Sequence, residues 1–350
     1  MKNQSRVSLR TIAEQAGVTR MTVSLALRGK PGVSVETRRK VLKAARQQGY
    51  RPDPEVSKLM SRIRSRPPSE PRGGLVLLTS GPHARDWMDS RTERKFIDGA
   101  VARARDYGYS MEKLWMDEPG LSSERLMEII WSRGIEGILV APLVGHGADR
   151  SQRKLDMDFS RFSVVQISDT VEAPALNCAI HDQYMSMLRM LGRLEALGYR
   201  RMGLVLERAL DLRVNRRWTA AFLQYRELHG TGDVPPPLVL EGADQKRFDR
   251  WFARHRPDVL ISLDRFGLRL LEAHGLDIPH DLGYASLDLD GEDPEFPGLS
   301  GIDQNARLVG ASAADMLVAA IHRRQQGIPL HPIRTEVEGS WVDGATTRPQ

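Results

Sequence analysis

The sequence predicts a small all-α domain followed by a short helix and linker, and then a larger two-lobed α/β domain with parallel sheets. Three observations support this fold class: the length of 350 residues, the basic first 66 residues, and the repeated alternation of short apolar strands with helices that starts near Gly74. We expect the boundaries 1–52 for the all-α domain, 53–71 for the helix and linker, 72–342 for the α/β domain and 343–350 for a short polar tail.

The charge is distributed unevenly along the chain. The formal net charge is +6, yet residues 1–66 hold 16 Lys and Arg against four acidic residues, so the rest of the chain is net negative. A basic segment on a mildly acidic body is typical of a nucleic-acid-binding module joined to a second domain. A solvated basic tail is the simpler alternative, and the residue pattern has to decide between the two.

Composition excludes several classes of protein. Hydrophobic residues make up 41% and charged residues 27%, as in globular domains, and no apolar stretch approaches the ~20 residues of a membrane span. The polar N-terminus shows no secretory signal, and the single cysteine, Cys178, excludes internal disulfides and a Cys-based zinc site. We therefore expect a cytoplasmic protein with no membrane partner.

Residues 8–27 have the pattern of two short helices around a tight turn. Ser8 is a suitable N-cap for the first helix, Gly17 allows the positive φ of an inter-helix turn, and Thr19 can cap the second helix. This is helix-turn-helix geometry, in which the second helix meets base edges with its exposed N-terminal side. The residues on or near that side are Arg20, Met21, Thr22, Ser24 and Leu25.

A third helix and a fourth, weaker one follow. The third starts near Ser34, and its apolar face is predicted to be Val41, Leu42, Ala45 and Tyr50. The fourth, capped by Asp53 with Pro54 at its first position, has few apolar anchors before the Pro/Gly-rich linker. Because a single short helix is marginal in water, we expect it to fold on binding.

These segments resemble the lac-repressor (LacI/GalR) family of bacterial transcription regulators. The resemblance rests on residues 7–24, which include Thr-Ile-Ala-Glu-Gln-Ala-Gly-Val-Thr, on Gly-Lys-Pro-Gly-Val-Ser-Val-Glu-Thr-Arg at 29–38, and on the run 41–52 that ends Gly-Tyr-Arg-Pro. It implies a homodimer that binds double-stranded, near-palindromic operator DNA and inserts a hinge-helix leucine, here Leu59, into the minor groove. Packing against neighbouring apolar residues is the alternative role for Leu59. The other DNA-contacting positions that the resemblance implies are Ser8, Thr19, Arg28, Tyr50 and Lys58.

Two residues depart from the family pattern. Leu25 stands where many members have an arginine that pairs with guanine, and leucine can instead touch a thymine methyl group. Asp53 replaces an asparagine that is common before the hinge helix. We therefore expect Arg20 and Met21 to carry more of the sequence specificity.

The remaining residues contain two similar blocks of alternating strands and helices. Late segments, a helix over 306–323 and an extended piece over 333–341, are predicted to return across the two blocks. The family resemblance implies a bilobed, periplasmic-binding-protein-like core with a ligand cleft between the lobes. On that basis we assign 72–180 and 292–322 to lobe one, and 181–291 and 323–342 to lobe two.

The resemblance also suggests which residues line the cleft. Trp218 and Leu263 replace the arginine and asparagine expected there, so they either contact the ligand or fill the cleft. Asp264 and Asp288 can equally be helix caps. The predicted effector-binding set is Ser80, Gln166, Arg216, Trp218, Leu263, Asp264 and Asp288, with Arg217 as an alternative to Arg216.

No motif favours an enzyme. The sequence has no dinucleotide-binding or phosphate-binding glycine loop, no zinc-protease motif and no nucleophile elbow, so we expect no catalytic residues, no metal and no cofactor. The predicted function is a sequence-specific transcription regulator, expected to be a repressor, whose operator affinity depends on a small effector such as a sugar. The alternatives are a regulator with a vestigial cleft and a cytoplasmic α/β binding protein or enzyme.

Overall fold

The computed structural model describes most of the chain and divides it into two units, Met1–Glu70 and Pro71–Gln350. The residues described are 9–27, 33–48, 50, 73–143, 154–229, 234–289 and 298–349. The predicted hinge helix and linker lie outside them, as do Ser8, Arg28, Lys58, Leu59 and the side chain of Ser24.

The described residues of the first unit form three helices: α1 (Leu9–Ala16), α2 (Arg20–Leu27) and α3 (Val35–Gln47). Gly17 has a φ of 65° in the turn between α1 and α2, where the Val18 N–H donates to the Ala13 carbonyl at 3.0 Å. The predicted caps also form, because Thr19 and Ser34 accept hydrogen bonds from backbone N–H groups of α2 and α3. The helix-turn-helix geometry predicted from the sequence is therefore present.

A small apolar core joins the three helices. Its fully buried members are Ile12, Ala13, Val23, Ala26, Val41, Ala44 and Ala45. One predicted core residue is wrong: Leu42 is 37% exposed, because it lies one helical step away from the inward face that Val41 and Ala44 share.

The described residues of the second unit form two six-stranded sheets. The first has the order β11-β5-β4-β3-β1-β2 and the second β12-β10-β9-β8-β6-β7; all described pairs are parallel except β10 with β12. The strands are β1 (Gly73–Thr79), β2 (Tyr109–Trp115), β3 (Gly137–Val140), β4 (Ser163–Ile167), β5 (Asn177–His181), β6 (Met202–Glu207), β7 (Leu238–Leu240), β8 (Val259–Ser262), β9 (Gly283–Ser286), β10 (Ser300–Asp303), β11 (Arg334–Val337) and β12 (Ser340–Val342).

In the part of this unit that the structure describes, eight helices cover the sheets, and a short 3₁₀ turn occupies Asp86–Met88. The helices are α4 (Arg91–Asp106), α5 (Ser123–Ser132), α6 (Gln183–Ala196), α7 (Arg208–Arg213), α8 (Arg217–His229), α9 (Gln245–His255), α10 (Asp264–Glu272) and α11 (Ala306–His322). We call the first sheet with α4, α5 and α11 the first lobe, and the second sheet with α6 to α10 the second lobe. None of the helices in the described part of the chain is long and apolar enough to cross a membrane.

Strand β1 shows why the apolar runs of this sequence form central strands. Leu75 and Leu77 belong to the core under α4 and α11, while Val76 and Leu78 belong to the core under α5. Because successive side chains of a strand point to opposite faces, a strand covered on both faces must be apolar throughout.

Helices α4 and α11 approach each other very closely. A Cβ atom on Gly99 would lie 1.9 Å from the Arg307 carbonyl oxygen, and one on Gly310 would lie 1.8 Å from that of Phe96. Both positions therefore require glycine, and α11 is held firmly to the first lobe although it follows a strand of the second.

The predicted assignment of the late segments to lobes is corrected by the sheet topology. We predicted that residues 292–322 belong to lobe one, but strand β10 within them pairs with β9 and belongs to the second sheet. We predicted that residues 323–342 belong to lobe two, but strand β11 within them pairs with β5 in the first sheet. The extended piece predicted over 333–341 is thus two strands in different sheets, and the chain crosses between the lobes after β5, β10 and β11.

The predicted tail is also different from expectation. Thr346 exchanges hydrogen bonds with the backbone of Tyr284, and its hydroxyl accepts from the Ser300 N–H at 2.9 Å. Polar residues at the end of the chain therefore extend the packing of the second lobe beyond Val342.

Candidate functional site

The start of helix α2 presents an exposed surface. The Thr22 N–H donates to Thr19 Oγ1 at 3.1 Å, which satisfies one of the backbone donors at this helix end. Arg20 is exposed and Met21 is 75% exposed, an unusual state for a large apolar side chain. This surface offers a guanidinium, hydroxyls and a flexible apolar side chain, which are groups that contact base edges and phosphates.

The other described residues predicted to contact DNA are less exposed. Thr22 and Leu25 are half-buried, and Tyr50 packs against the apolar core of the three helices. The structure therefore brings Thr19, Arg20 and Met21 together at one helix end and gives Tyr50 a packing contact.

In the second unit, polar contacts join the lobes across the cleft. The Thr92 hydroxyl donates to Asp288 Oδ2 at 2.6 Å. Arg213 forms an ion pair with Glu93, and Arg217 forms one with Asp169. In each case the first-lobe residue lies in the first turn of α4 or just after β4, and its partner lies at the facing end of the second lobe. These contacts connect the two lobes directly.

Asp169 is the centre of the most connected of these contacts. Its carboxylate accepts from Arg217 and from Asn215 Nδ2 at 3.0 Å, and Arg334 lies 3.3 Å away. Burial alone would raise the pKa of Asp169, but the hydrogen bond and charge of Arg217 and the charge of Arg334 together hold that pKa below 3.8. Asp169 is therefore ionised as the anchor of an inter-lobe charge cluster.

For Glu93, burial affects the pKa more than the neighbouring arginine does, whereas for Asp169 the neighbouring groups together outweigh burial. Burial raises its pKa above 4.5, and the charge and hydrogen bond of Arg213 offset only part of that effect. Burial therefore opposes the ionised form of Glu93 more strongly than Arg213 favours it.

The predicted effector-binding residues of the first lobe have defined positions. Ser80 is buried directly after β1. Gln166 is buried in β4, where its amide accepts from the Val171 N–H at 3.1 Å and donates to the Val171 carbonyl at 3.4 Å. Its amide thus supports the loop that carries Asp169.

The predicted residues of the second lobe divide into two groups. Trp218 and Leu263 are 4% and 7% exposed and belong to the same apolar cluster of that lobe. Asp288 makes the contact to Thr92, and Asp264 begins α10 with its side chain outside the described atoms.

Of the two arginines considered for the cleft, Arg217 and not Arg216 crosses it. Arg216 has a φ of 57° and is exposed, because it lies in the turn between α7 and α8. Arg217, the first residue of α8, points toward the first lobe and bonds Asp169.

Spaces that the described residues leave along the cleft differ greatly in size. The space beside Thr92 and Asp288 has about 10 Å³. A cavity of about 380 Å³ lies beside Asp169, with Asn215 on one side and Arg334 on the other.

The sequence analysis did not identify several of these residues as members of the site. Glu93 has the pattern of an acid in a first helical turn, which a helix dipole explains without any partner. Asp169 follows a buried parallel strand, a position typical of ligand sites, and this signal could have found it. Among the described residues no group of three or more His, Cys, Asp or Glu side chains is placed to hold a metal ion.

Comparison with known families matches both units. The model of bacterial regulatory proteins of the lacI family matches residues 8–53, and that of the periplasmic binding protein-like domain matches residues 191–347. The first match covers the three helices, and the second covers most of the second lobe with the crossovers back to the first.

Relatives of this chain are named as transcriptional regulators. The chain is 29% identical over 296 residues to the HTH-type transcriptional regulator MalR of Streptomyces coelicolor, which covers 80% of each chain. It is 47% identical over 53 residues to the HTH-type transcriptional regulator AglR of Rhizobium meliloti, which covers 15% of each.

Solved structures share the fold. A lac repressor dimer bound to operator and the anti-inducer ONPF is 18% identical with a TM-score of 0.57, covering 98% of this chain and 100% of the other. A complex of the transcriptional regulator CelR with cellobiose is 18% identical with a TM-score of 0.54, covering 97% and 100%. With the helix-turn-helix and the two parallel-sheet lobes, these matches show a chain that joins the helix-turn-helix domain of the lacI family of bacterial regulatory proteins to a periplasmic binding protein-like domain, as in a DNA-binding transcriptional regulator.

Proposed function

We propose that this regulator is a homodimeric repressor that binds a near-palindromic operator and changes its operator affinity when a small ligand binds between its lobes. One observation carries this proposal: the same chain has an exposed surface at the start of α2 and two lobes that are joined by polar side-chain contacts, which a polar ligand could replace. Relatives with solved structures include a dimer on its operator and a complex with a disaccharide, which supports the same reading.

The mechanism is a linkage between cleft closure and DNA binding. Arg213 and Arg217 of the second lobe bond to carboxylates of the first, so opening the cleft must separate these pairs. A ligand that binds one arrangement of the lobes more tightly shifts the population toward it by its differential binding free energy. The three chain crossovers between the lobes are where such a rotation would be absorbed.

The proposal is tested by selecting random duplex DNA on the purified full chain. We expect a two-fold symmetric motif, with half-sites spaced by about one helical turn. Enrichment of an asymmetric motif, or binding that only fades uniformly as salt rises, would contradict a dimeric operator-binding regulator.

A second candidate is a regulator whose operator affinity no ligand changes. The observation that favours it is that Trp218 and Leu263 are packed in the core of the second lobe, while the space beside Asp288 is about 10 Å³. Measuring affinity for the selected operator across a panel of small metabolites separates the two candidates, because only the first predicts a ligand that changes it.

A further inference from the structure

The three connections between the lobes meet in one small region. A Cβ atom on Gly339, which follows β11, would lie 2.6 Å from Ile302 Cγ2, 2.7 Å from His181 Cε1 and 2.7 Å from Ser186 Oγ. Ile302 belongs to β10 and His181 ends β5, so each of the three crossovers contributes a residue, and the first turn of α6 packs beside them. We call these four residues the crossover cluster.

Hydrogen bonds also connect the three crossovers. The Asp182 N–H, directly after β5, donates to the Val337 carbonyl at the end of β11 at 2.9 Å. Asn305 Nδ2, after β10, donates to the Glu338 carbonyl at 2.8 Å. A rotation of one lobe against the other therefore has to change the packing of the crossover cluster.

His181 is an unusual member of this cluster. It is 1% exposed, and neither of its ring nitrogens reaches a hydrogen-bond partner with acceptable geometry among the described residues. Such groups are rare in folded proteins, because burial removes their hydrogen bonds to water and nothing replaces them. The imidazole therefore gains hydrogen bonds in any arrangement of the crossovers that lets water reach it.

Burial also keeps this ring neutral. It lowers the pKa of His181 from 6.5 to about 4, although the charge of Asp182 and the nearby backbone of Val337 act in the opposite direction. A histidine in water is half-protonated near pH 6.5, so the ring takes up a proton far more readily once it is exposed.

The charged side chains on the elements around the ring do not explain this neutrality. They are Asp182, Arg189, Asp303, Arg307 and Glu338. Both arginines are paired, Arg189 with Glu338 and Arg307 with Asp98, and the two aspartates favour the protonated ring. Burial keeps His181 neutral, and burial is what a movement of the crossovers changes.

We propose that His181 makes the connection between the lobes sensitive to pH, so that acidification favours arrangements of the crossovers in which water reaches this ring. The proton then regulates the arrangement of the lobes in addition to any small ligand, which goes beyond the proposed function.

The sign of the effect follows from the neutral state of the buried ring. The packed arrangement is fully favoured above pH 6.5 and loses that preference as the pH falls from 6.5 toward 4. If the exposed ring has the ordinary pKa of histidine, the ratio of opened to packed molecules rises about tenfold between pH 7.5 and 5.5.

The test is amide hydrogen exchange of the full chain at pH 7.5 and 5.5, measured by mass spectrometry and corrected for the intrinsic exchange rate at each pH. We expect the protection of peptides spanning 180–186, 302–306 and 337–341 to fall about tenfold at the lower pH, while strand β1 keeps its protection. Unchanged protection in these crossover peptides would overturn the proposal. An equal loss in β1 would overturn it too, because the whole domain would then be unfolding.

Two variants assign the effect to one ring. His181→Phe keeps a buried ring that cannot be protonated, so its crossover peptides should be equally protected at both pH values. His331→Phe is the matched control, because His331 is exposed before β11, and it should behave like the parent chain. A tenfold loss that persists in His181→Phe would refute the role of His181.

A measurement on the unmodified chain keeps the test valid if His181→Phe fails to fold. Exchange of the imidazole C2 hydrogen, followed by mass spectrometry across a pH series, reports the protonation and the accessibility of each histidine. We expect His181 to exchange more slowly than His331 and with a midpoint well below pH 6.5. Fast exchange of His181 with a midpoint near 6.5 would show that the ring is already exposed and would contradict the proposal.

Discussion

In the three-helix domain the side chains of Arg20 and Met21 extend into solvent, whereas in the two-lobed domain Glu93 and Asp169 are buried and paired with arginines. The first surface contributes little to the stability of its own domain, because exposed side chains bury little area. The second set of side chains connects the two lobes. We therefore expect changes at α2 to leave folding unaffected, and changes to the pairs between the lobes to alter stability.

The largest expected effect comes from breaking the central charge cluster. Asp169→Ala leaves the largely buried guanidinium of Arg217 without its carboxylate, and loss of one partner of a buried pair costs about 3–5 kcal/mol of unfolding free energy. Urea unfolding followed by tryptophan fluorescence measures this domain alone, because all six tryptophans lie beyond residue 71.

The control for that measurement is an exposed pair in the same domain. Glu128→Gln removes a contact to Arg125 in which both side chains are about two-thirds exposed, so we expect less than about 1 kcal/mol. Similar losses in both variants would mean that the cleft pairs do not couple the lobes to stability.

At the α2 surface the expected effect is on recognition. Arg20→Ala and Met21→Ala should each change the selected DNA motif and weaken operator binding by about 1–3 kcal/mol. The helix content and thermal midpoint of the variants should stay close to those of the parent chain, as circular dichroism can show. An unchanged motif in both variants would move recognition away from the start of α2.

The hinge residue should have a smaller effect. Leu59 lies outside the described residues, and its predicted role as a minor-groove wedge comes from the family resemblance. Leu59→Ala should weaken specific operator binding roughly tenfold, within the few kcal/mol of unstacking a base step, and non-specific binding less. Equal losses on specific and random duplexes in a gel-shift titration would exclude the wedge.

The smallest effect concerns the dependence of stability on pH. Because the pKa of Glu93 is raised in the folded state, its contribution to stability is fully present below pH 4.5 and is lost as pH rises through the raised value. Glu93→Gln should remove this part of the pH dependence in urea unfolding between pH 4.5 and 7, and Glu128→Gln should keep it. If the stability of Glu93→Gln depends on pH as steeply as that of the parent chain, another group is responsible for this pH dependence.

Local signals were sufficient for the three-helix domain. Thr19 and Ser34 cap helices, and Gly17 adopts a positive φ, for reasons contained within a few neighbouring residues. The alternation of apolar strands and helices likewise predicted two parallel-sheet lobes, since a strand buried on both faces must be apolar. Leu42 was misassigned because a helix face is defined only to within one residue until its partners are placed.

The cleft depended on contacts that no local pattern contains. Glu93 and Arg213 are 120 residues apart in the chain, and Asp169 and Arg217 are 48 apart. Whether Arg216 or Arg217 crosses the cleft depends on the left-handed turn at Arg216.

The sequence by itself therefore determined the helix-turn-helix, the two-lobed class and the residues that are exposed at the start of α2, because caps, turns and periodicity act over a few residues. Only the tertiary structure decided which lobe receives β10 and β11, and which charges meet between the lobes. The physical reason is that strand pairing and ion pairing depend on the packing of distant segments, such as α11 against α4 at Gly99 and Gly310.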